Sequence, residues 1–368
     1  MALIPVALLT TGFGPPTLVD RDAAPAYRYT VGQLRQMQMA RRPPEEVSAR
    51  AVLVYDLDSD RVLMARNEAV PLPPASLTKL MTALLVLERG DLDRQVTVQV
   101  DDLVGGASMG LRAGETLTVR ELLWGLLIPS GNDAAMALAR AHSGQVHVFV
   151  QRMNLRAQEL GLAESHFANP HGFDATGHTS SARDLLTLTR MLWTYPLFRE
   201  IVGTAETTVA GHTLRSTNQL LGAFPGANGV KTGTTPAAGQ SLVAGVNRDG
   251  HQLFMVVLGS RDRYADVRTL YSQYERTYTW VRLQQPQRFT VLDRLYDPQG
   301  KRWFVQGEGV ASDVFLPIWD RTRLRPFRRV QPPIGASWTP GADVGVLEWR
   351  LGDQVIGVQR LILTTLGG

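Results

Sequence analysis

Hydrophobic and polar positions change their spacing several times along the chain, and each change predicts a different element. From Ala51, the segment AVLVYDLDSDRVLMARN holds two alternating runs around Asp-Ser-Asp, which predicts a β-hairpin. The segment SLTKLMTALLVLERG is apolar nearly all round and predicts a buried helix that ends at Gly90. The segment VRELLWGLLIPSGNDAAMALARAH predicts two helices that are separated at Pro129-Ser130-Gly131.

The following segments return from helical to strand-like spacing. QVHVFVQRMNLRAQELG and SSARDLLTLTRMLWTY predict amphipathic helices, whereas HTLRSTNQLL, GVKTGTT, QSLVAGVNRDG and HQLFMVVLGS predict strands and turns of a sheet. A further helix is predicted from Ala265 to Trp280. Strands at both ends with helices between them indicate an α/β (α+β) domain. We expect an antiparallel sheet assembled from the two ends, flanked by helices, with a helical subdomain inserted.

The first 46 residues have no sustained periodicity. ALIP, GFGPP and RRPPEE interrupt them, and only VGQLRQMQMARR has the spacing of a short helix. We interpret residues 1–46 as a leader and linker. The apolar start is short and has no basic segment before it, so it is either the remnant of an export signal or a plain apolar tail. No apolar stretch reaches the roughly 20 residues that a membrane span needs.

The pattern changes once more beyond about residue 286. RFTVLD, KRWFVQG, VFLPIW, VGVLEWRL and VIGVQRLIL are short runs separated by Gly, Pro and Asp turns. They predict a small all-β domain that resembles a β-sandwich. The expected organisation is a leader at residues 1–46, a main domain at residues 47–284 and a β domain at residues 285–368.

Charge, cysteine and histidine content exclude several classes of function. The formal net charge of +4 is spread along the chain, so no nucleic-acid partner is expected, because that would need a clustered basic patch. The absence of cysteine removes thiol nucleophiles and disulfides. The histidines show no HExxH or other metal spacing, so neither a metal nor a cofactor is expected. We interpret His166, His171 and His178 as loop or capping residues.

Lysine is rare in this chain. Only Lys79, Lys231 and Lys301 are lysines, and the other positions in the Lys and Arg count of 38 are arginines. Arginine stays protonated in proteins, whereas a buried lysine can become a neutral amine. A base-composition bias of the genome explains the excess of arginine. It does not explain why Lys79 and Lys231 both fall within short motifs.

The first motif, Ser76-Leu77-Thr78-Lys79, opens the predicted buried helix. Ser76 and Lys79 lie on one face, one turn apart, so the hydroxyl and the amine can meet. The N-terminus of a helix favours negative charge that develops at Ser76. A buried lysine near a second cation has a disfavoured charged form and can take the proton of the serine. Taken alone, the four residues would also fit a surface helix cap.

Two further motifs follow in the chain. Ser130-Gly131-Asn132 lies at the break between two predicted helices, where a hydroxyl can relay protons and an amide can hold a peptide group. Lys231-Thr232-Gly233 lies on a predicted strand, whose edge can bind an extended peptide through backbone groups. Gly233 leaves room for that peptide, and Lys231 adds a fixed positive charge. Taken singly, the second motif also fits an ordinary helix N-cap and the third an ordinary turn.

The three motifs in this order are the signature of class A β-lactamases and penicillin-binding proteins. Residues 48 to about 282 resemble the serine D-Ala-D-Ala carboxypeptidase family of low-molecular-mass penicillin-binding proteins. The resemblance extends to GASMGLRAGETLTVRELLWGLLIPSGNDAA, NPHGFDATGHTSSARDL and GVKTGTTPAAG. The segment WTPGADVGVLEWRLGDQVIGVQRLIL is similar to the C-terminal β domain that this family often carries. The resemblance implies a serine β-lactamase/transpeptidase-like fold for the main domain.

The resemblance also implies a role for each motif residue. Ser76 would be the nucleophile and Lys79 its base, and Ser130 with Lys231 would pass the proton to the leaving D-alanine. The residues expected to bind substrate are Asn132, Lys231, Thr232, Gly233, Thr234 and Arg263. Among them, Asn132 would bind the amide on the acyl side, and the N–H groups of Ser76 and Thr234 would form the oxyanion hole. Arg263 would bind the terminal carboxylate, unless Arg261 aligns there instead.

The implied reaction removes the terminal D-alanine of peptidoglycan stem peptides through an acyl-enzyme, with β-lactams as inhibitors. Such an enzyme is expected outside the cytoplasm, in the periplasm or cell envelope. The family's amphipathic C-terminal anchor is missing, so any membrane association is expected to be peripheral. Three alternatives stay open: a D,D-endopeptidase, a β-lactamase and a non-catalytic penicillin-binding sensor. For the β-lactamase, Glu164 with Asn169 only faintly resembles the loop that carries a deacylating glutamate.

Overall fold

A computed structural model describes residues 18–19, 31–283, 294–309, 312–334 and 337–365. The chain divides into two compact units. The larger unit is Arg35–Tyr274, and the smaller unit combines Met1–Leu34 with Glu275–Gly368. The segment RFTVLD, which we predict to be a strand, and most of the predicted leader lie outside the described residues.

The elements follow one another along the described chain in three groups. The α-helices are α1 (Val31–Ala40), α2 (Lys79–Arg89), α3 (Val119–Leu127), α4 (Asn132–Ser143), α5 (Val146–Glu159), α6 (Ala182–Trp193), α7 (Pro196–Gly203) and α8 (Arg263–Thr277). The strands before α8 are β1 (Leu18–Val19), β2 (Ala51–Asp56), β3 (Arg61–Arg66), β4 (Gln95–Thr97), β5 (Thr116–Thr118), β6 (Glu206–Val209), β7 (His212–Arg215), β8 (Ala227–Thr235), β9 (Gly239–Arg248) and β10 (His251–Ser260). The strands after α8 are β11 (Tyr278–Arg282), β12 (Arg294–Tyr296), β13 (Arg302–Gly307), β14 (Asp313–Pro317), β15 (Arg325–Val330), β16 (Asp343–Leu351) and β17 (Gln354–Thr364).

The larger unit is built on a five-stranded antiparallel sheet in the order β3-β2-β10-β9-β8. Strands β2 and β3 form the predicted hairpin, and β8 to β10 come from the other end of the unit. The prediction of an antiparallel sheet assembled from both ends is therefore confirmed. Strand β8 is the edge of this sheet and pairs with β9 on one side only. Its other side can receive an extended peptide.

Helix α2 lies at the centre of the helical part. Its residues from Lys79 to Leu87 are all buried, and its apolar side chains share one core cluster with those of α3, α4 and α6. Gly90 ends the helix with a φ of 79°, a left-handed conformation that glycine adopts without a steric penalty. The predicted end of this helix and the predicted break between α3 and α4 are both confirmed.

Three predicted elements differ from the structure. The helix predicted from Ser76 begins as a 3-10 turn, Ala75–Thr78, because the Thr78 hydroxyl donates to the Ala75 carbonyl and tightens this segment. HTLR does not join the main sheet, because the turn before it pairs β7 with β6 in a separate ribbon. The last helix begins at Arg263, and the β-prone segment YTWVR forms β11 instead of its final turn.

The smaller unit is rich in strands, as its sequence pattern predicts. Six strands form one sheet in the order β1-β15-β16-β17-β13-β12, and β11 pairs with β14 in a two-stranded ribbon. Leu18 and Val19, within the predicted leader, pair with β15 and so belong to this sheet. Buried side chains such as Trp303 form a core of its own. None of the described helices is both long and apolar enough to cross a membrane.

Candidate active site

All three motifs meet at a cleft of about 550 Å³ beside the edge strand β8. The residues of the motifs that line this cleft are Ser76, Ser130, Thr232 and Gly233, and Thr234, directly after the third motif, also lines it. Lys79, Asn132 and Lys231 are buried next to these residues and contact them or each other. The fold therefore brings together the residues that the sequence motifs single out.

Ser76 lies in a tight turn. Two other segments of the chain approach this turn closely, each at a glycine. Ala75, just before it, has a φ of 49°, which is unusual for a residue with a side chain. A Cβ added to Gly233 of β8 would lie 3.1 Å from the Ser76 backbone nitrogen. A Cβ added to Gly172 would lie only 2.0 Å from the Ala75 oxygen. The loop between α5 and α6 can therefore approach the turn at Ser76 only because residue 172 is glycine, and a side chain at residue 233 would make the contact with β8 tight.

Lys79 is fully buried beside Ser76, and its three neighbours determine where its lone pair points. Its Nζ lies 3.2 Å from Ser76 Oγ, 2.7 Å from Asn132 Oδ1 and 2.7 Å from the His171 carbonyl oxygen. The amide and carbonyl oxygens can only accept hydrogen bonds, so they take both N–H groups of a neutral amine. The serine hydroxyl is the one neighbour among these three that can donate. A neutral Lys79 therefore directs its lone pair at the Ser76 hydroxyl.

The electrostatic surroundings favour this neutral form. Burial holds the pKa of Lys79 well below its usual value, and the nearby Lys231 lowers it further. Asp133 acts in the opposite direction, but its carboxylate already accepts hydrogen bonds from Ser108 Oγ and from several backbone N–H groups. Loss of hydration therefore dominates the pKa of Lys79, as expected for a lysine with no exposed surface.

Asn132 is held in one orientation by the loop that precedes β5. Its Nδ2 donates to the Gly105 carbonyl at 2.8 Å, so its Oδ1 must face Lys79. Its backbone N–H donates to the Ala107 carbonyl at 2.7 Å. The N-cap of α4 is Gly131, which has no capping side chain. Ser130 and Asn132 are therefore not used as helix caps, and their side chains face the cleft residues instead.

Lys231 lies on β8 and is also buried, but its partners differ. Its Nζ donates to Ser130 Oγ at 2.8 Å and to the Thr232 carbonyl at 2.9 Å. Burial and the neighbouring Arg263 lower the pKa of Lys231 to about 7. A pKa near 7 makes the charge of Lys231 depend on pH, whereas the sequence motif predicts a fixed positive charge. Lys301, in the smaller unit, is exposed.

Arg263 begins α8 and reaches across the end of the cleft. Its Nη1 donates to the carbonyls of Gly233 and Ser241 at 2.9 Å, and its Nη2 donates to Thr234 Oγ1. These bonds fix the guanidinium against β8. Arg261 lines the same cleft and is more exposed. Both arginines therefore lie where a carboxylate at the end of β8 would meet them.

Several residues near the cleft had no distinct sequence signal. The carbonyl of His171 accepts from Lys79, and a backbone contact of this kind leaves no signature in a side-chain pattern. Thr217 Oγ1 lies 2.5 Å from Thr232 Oγ1, and the Thr217 carbonyl accepts from the Tyr264 hydroxyl. Threonine followed by asparagine after a strand could have indicated a turn at this position, but not its contact with the third motif.

The loop between α5 and α6 holds the remaining residues that were singled out. Glu164 donates its backbone N–H to Asp184, and Asn169 binds the backbone of Gly172 and Phe173 and so shapes the loop.

Among the described residues, no three His, Cys, Asp or Glu side chains are grouped as metal ligands would be.

Comparisons with known proteins agree with this geometry. The profile of the peptidase S11 family, described as D-alanyl-D-alanine carboxypeptidase, matches residues 37–262. The chain is 34% identical over 276 residues to D-alanyl-D-alanine carboxypeptidase DacF of Bacillus subtilis, covering 70% of this chain and 69% of that one. It is 31% identical over 280 residues to a D-alanyl-D-alanine endopeptidase of Pseudomonas aeruginosa, covering 73% and 89%. Penicillin-binding protein 6B from Escherichia coli is structurally similar, with a TM-score of 0.65, 29% identity and coverage of 87% and 96%.

Proposed function

The chain belongs to the serine-type D-alanyl-D-alanine carboxypeptidase family, peptidase S11, and we propose that its reaction proceeds through an acyl-enzyme on Ser76. The substrate in this proposal is a peptidoglycan stem peptide that ends in D-Ala-D-Ala, and the proposed site of action is the cell envelope, outside the cytoplasm. The observation that carries the proposal is the position of Lys79. Its Nζ lies 3.2 Å from Ser76 Oγ while two other oxygens accept its N–H groups.

Acylation follows from this arrangement. The Ser76 Oγ–H proton moves to the lone pair of Lys79 as Oγ attacks the carbonyl carbon between the two D-alanines. The N–H groups of Ser76 and Thr234 stabilise the oxyanion of the tetrahedral intermediate. The C–N bond then breaks, and the amine of the leaving D-alanine receives a proton through Ser130 and Lys231, which are joined by a hydrogen bond of 2.8 Å. Water later hydrolyses the ester on Ser76.

Substrate orientation follows from the edge of the sheet. The stem peptide adds to the free side of β8 as an extended strand, and it passes close to Ser76 because Gly233 of β8 packs against the turn that carries Ser76. Asn132 binds the amide on the acyl side. The terminal carboxylate lies near Thr234 and Arg263, which already share a hydrogen bond, so both can bind it together.

Intact-protein mass spectrometry after treatment with a β-lactam tests the acyl-enzyme. The wild-type protein should gain the mass of one β-lactam, and the adduct should persist after washing. Ser76→Ala should abolish labelling, because it removes the nucleophile while leaving the pocket. Ser143→Ala, at the far end of α4, is the matched control and should label normally. Labelling that persists on a folded Ser76→Ala protein would contradict the proposal.

Cleavage of cross-links is a second candidate function, favoured by the relative that is named an endopeptidase. A carboxypeptidase must bind a free terminal carboxylate, whereas an endopeptidase must leave room for more chain. A stem peptide with a free C-terminus and the same peptide with an amidated C-terminus distinguish the two. Cleavage of the free acid alone supports the carboxypeptidase, and equal cleavage of both supports the endopeptidase.

A further inference from the structure

His178 is buried behind the nucleophile turn and has a defined tautomer. Only 3% of its surface is exposed. The backbone N–H of Ala168 donates to its Nδ1 at 2.9 Å, so Nδ1 carries no proton in this arrangement. The proton of the neutral ring is therefore on Nε2. Burial lowers the pKa of His178 to about 4, which keeps the ring neutral at ordinary pH.

A chain of hydrogen bonds leads from this ring to the residue before Ser76. His178 Nε2 lies 2.7 Å from Thr78 Oγ1 and donates to it. The Thr78 hydroxyl, which is also buried, in turn donates to the Ala75 carbonyl at 2.8 Å. His178 and Thr78 each accept one hydrogen bond and donate one. All hydrogen bonds of the chain from Ala168 to Ala75 therefore run in the same direction.

The end of this chain is one of the strained parts of the site. Ala75 has a φ of 49°, and a non-glycine residue adopts such a conformation only where its surroundings enforce it. The Thr78 hydroxyl binds the Ala75 carbonyl, and Gly172 lies so close that a Cβ there would be 2.0 Å from the carbonyl oxygen. The orientation of this peptide unit determines where the N–H of Ser76 points, because the two groups belong to the same peptide plane.

We propose that His178, acting through Thr78, is a positioning residue that holds the Ala75–Ser76 peptide in the orientation that acylation requires. The inference rests on the proposed function, since it assumes that Ser76 is acylated. His178 contacts neither Ser76 nor Lys79 in this role and exchanges no proton with the substrate. The same loop provides the His171 carbonyl that accepts from Lys79, so one segment fixes both the base and the nucleophile.

Two pairs of variants distinguish loss of the hydrogen-bond chain from a change in side-chain packing. His178→Gln can place an amide N–H near the position of Nε2, whereas His178→Asn offers only an acceptor near the position of Nδ1. Thr78→Ser keeps the hydroxyl, whereas Thr78→Val keeps the shape and loses it. We expect His178→Asn and Thr78→Val to slow acylation by a fluorescent β-lactam at least about tenfold, because small displacements of reacting groups are costly. His178→Gln and Thr78→Ser should stay within about threefold of the wild type.

Thermal unfolding of each variant shows whether slower acylation is caused by a loss of stability. If His178→Gln and His178→Asn lose acylation equally, or if Thr78→Val acylates at the wild-type rate, the proposal is wrong. If His178→Asn does not fold, the Thr78 pair decides alone. The double variant His178→Asn/Thr78→Val should be no slower than the slower single variant, because both interrupt one chain. Failure of the wild type to label at Ser76 would instead overturn the proposed function.

Discussion

The two ends of the cleft each hold a buried lysine, but in different surroundings. At the nucleophile end, Lys79 faces two oxygens that can only accept and one hydroxyl. At the strand end, Lys231 faces the Ser130 hydroxyl and one carbonyl, with Arg263 as its charged neighbour. Burial lowers the pKa at both ends; it holds the pKa of Lys79 well below its usual value and, with Arg263, lowers the pKa of Lys231 to about 7.

This difference shows how one residue type serves two purposes in the same cleft. The neighbours of Lys79 use both N–H groups of a neutral amine and leave a lone pair for a proton. Lys231 keeps a charge below its pKa, beside the place where a carboxylate is expected to bind. In the proposed mechanism, the environment of each lysine, rather than its chemical type, therefore assigns the roles of base and of charge.

The largest expected effect comes from replacing Lys79 with another cation. Lys79→Arg should slow acylation by about 10³-fold or more, nearly as much as Lys79→Ala, because a guanidinium cannot supply a lone pair at ordinary pH. Stopped-flow measurement of β-lactam acylation gives the rates. A Lys79→Arg protein that is acylated at a rate close to the wild type would contradict the role of Lys79 as a neutral base, and with it the proposed difference between the two lysines.

Arg263→Ala should have a smaller effect that is confined to the strand end. Loss of a charge-assisted bond to the terminal carboxylate should lower kcat/KM on a D-Ala-D-Ala peptide by at least about tenfold. Activity on the amidated peptide should be poor already and barely change. Arg261→Ala is the matched control for the competing alignment. Full activity in both variants, with equal cleavage of both peptides, would exclude carboxylate recognition by either arginine.

Lys231→Arg should have the smallest effect and should show it mainly in the pH profile. The pKa of Lys231 in the free enzyme is about 7, so its charge is present below that pH and lost above it. For the wild type, kcat/KM on the free-acid peptide should therefore decline above about pH 7. Lys231→Arg should retain more activity than Lys231→Ala and should lack this decline, because arginine stays charged. A decline that persists unchanged in Lys231→Arg would assign it to another group.

Much of this architecture could be predicted from the sequence because the relevant signals are local. Alternation around Asp-Ser-Asp predicts the hairpin, and Gly90 predicts the end of α2, since each depends on a few neighbouring residues. The spacing of Ser76 and Lys79 predicts that their side chains can meet, although the segment between them starts as a 3-10 turn. The rarity of lysine in the chain is itself a signal, because it draws attention to Lys79 and Lys231.

The features that the sequence did not reveal depend on contacts between distant segments. The His171 carbonyl and the His178 ring reach α2 and the turn before it from a loop about a hundred residues later in the chain. Hydrophobic periodicity does not reveal these contacts, and the sequence indicates only loop or capping residues at both positions. The pKa of Lys231 likewise depends on Arg263, which the fold alone brings near. The sequence does not predict that β7 pairs with β6, because hydrophobic alternation indicates a strand but not which strand lies next to it.

The pH dependence of acylation tests the role of Lys79 most directly. An exposed lysine has a pKa near 10.4, so a base with that pKa would lose about tenfold in rate for each pH unit below it. Burial and Lys231 lower the pKa of Lys79 well below this value, so its amine becomes neutral at a lower pH than that of an exposed lysine. We therefore predict that the acylation rate of the wild type by a β-lactam does not fall tenfold for each pH unit between about pH 10 and about pH 9. A tenfold fall per pH unit across that range would contradict a neutral Lys79 as the base.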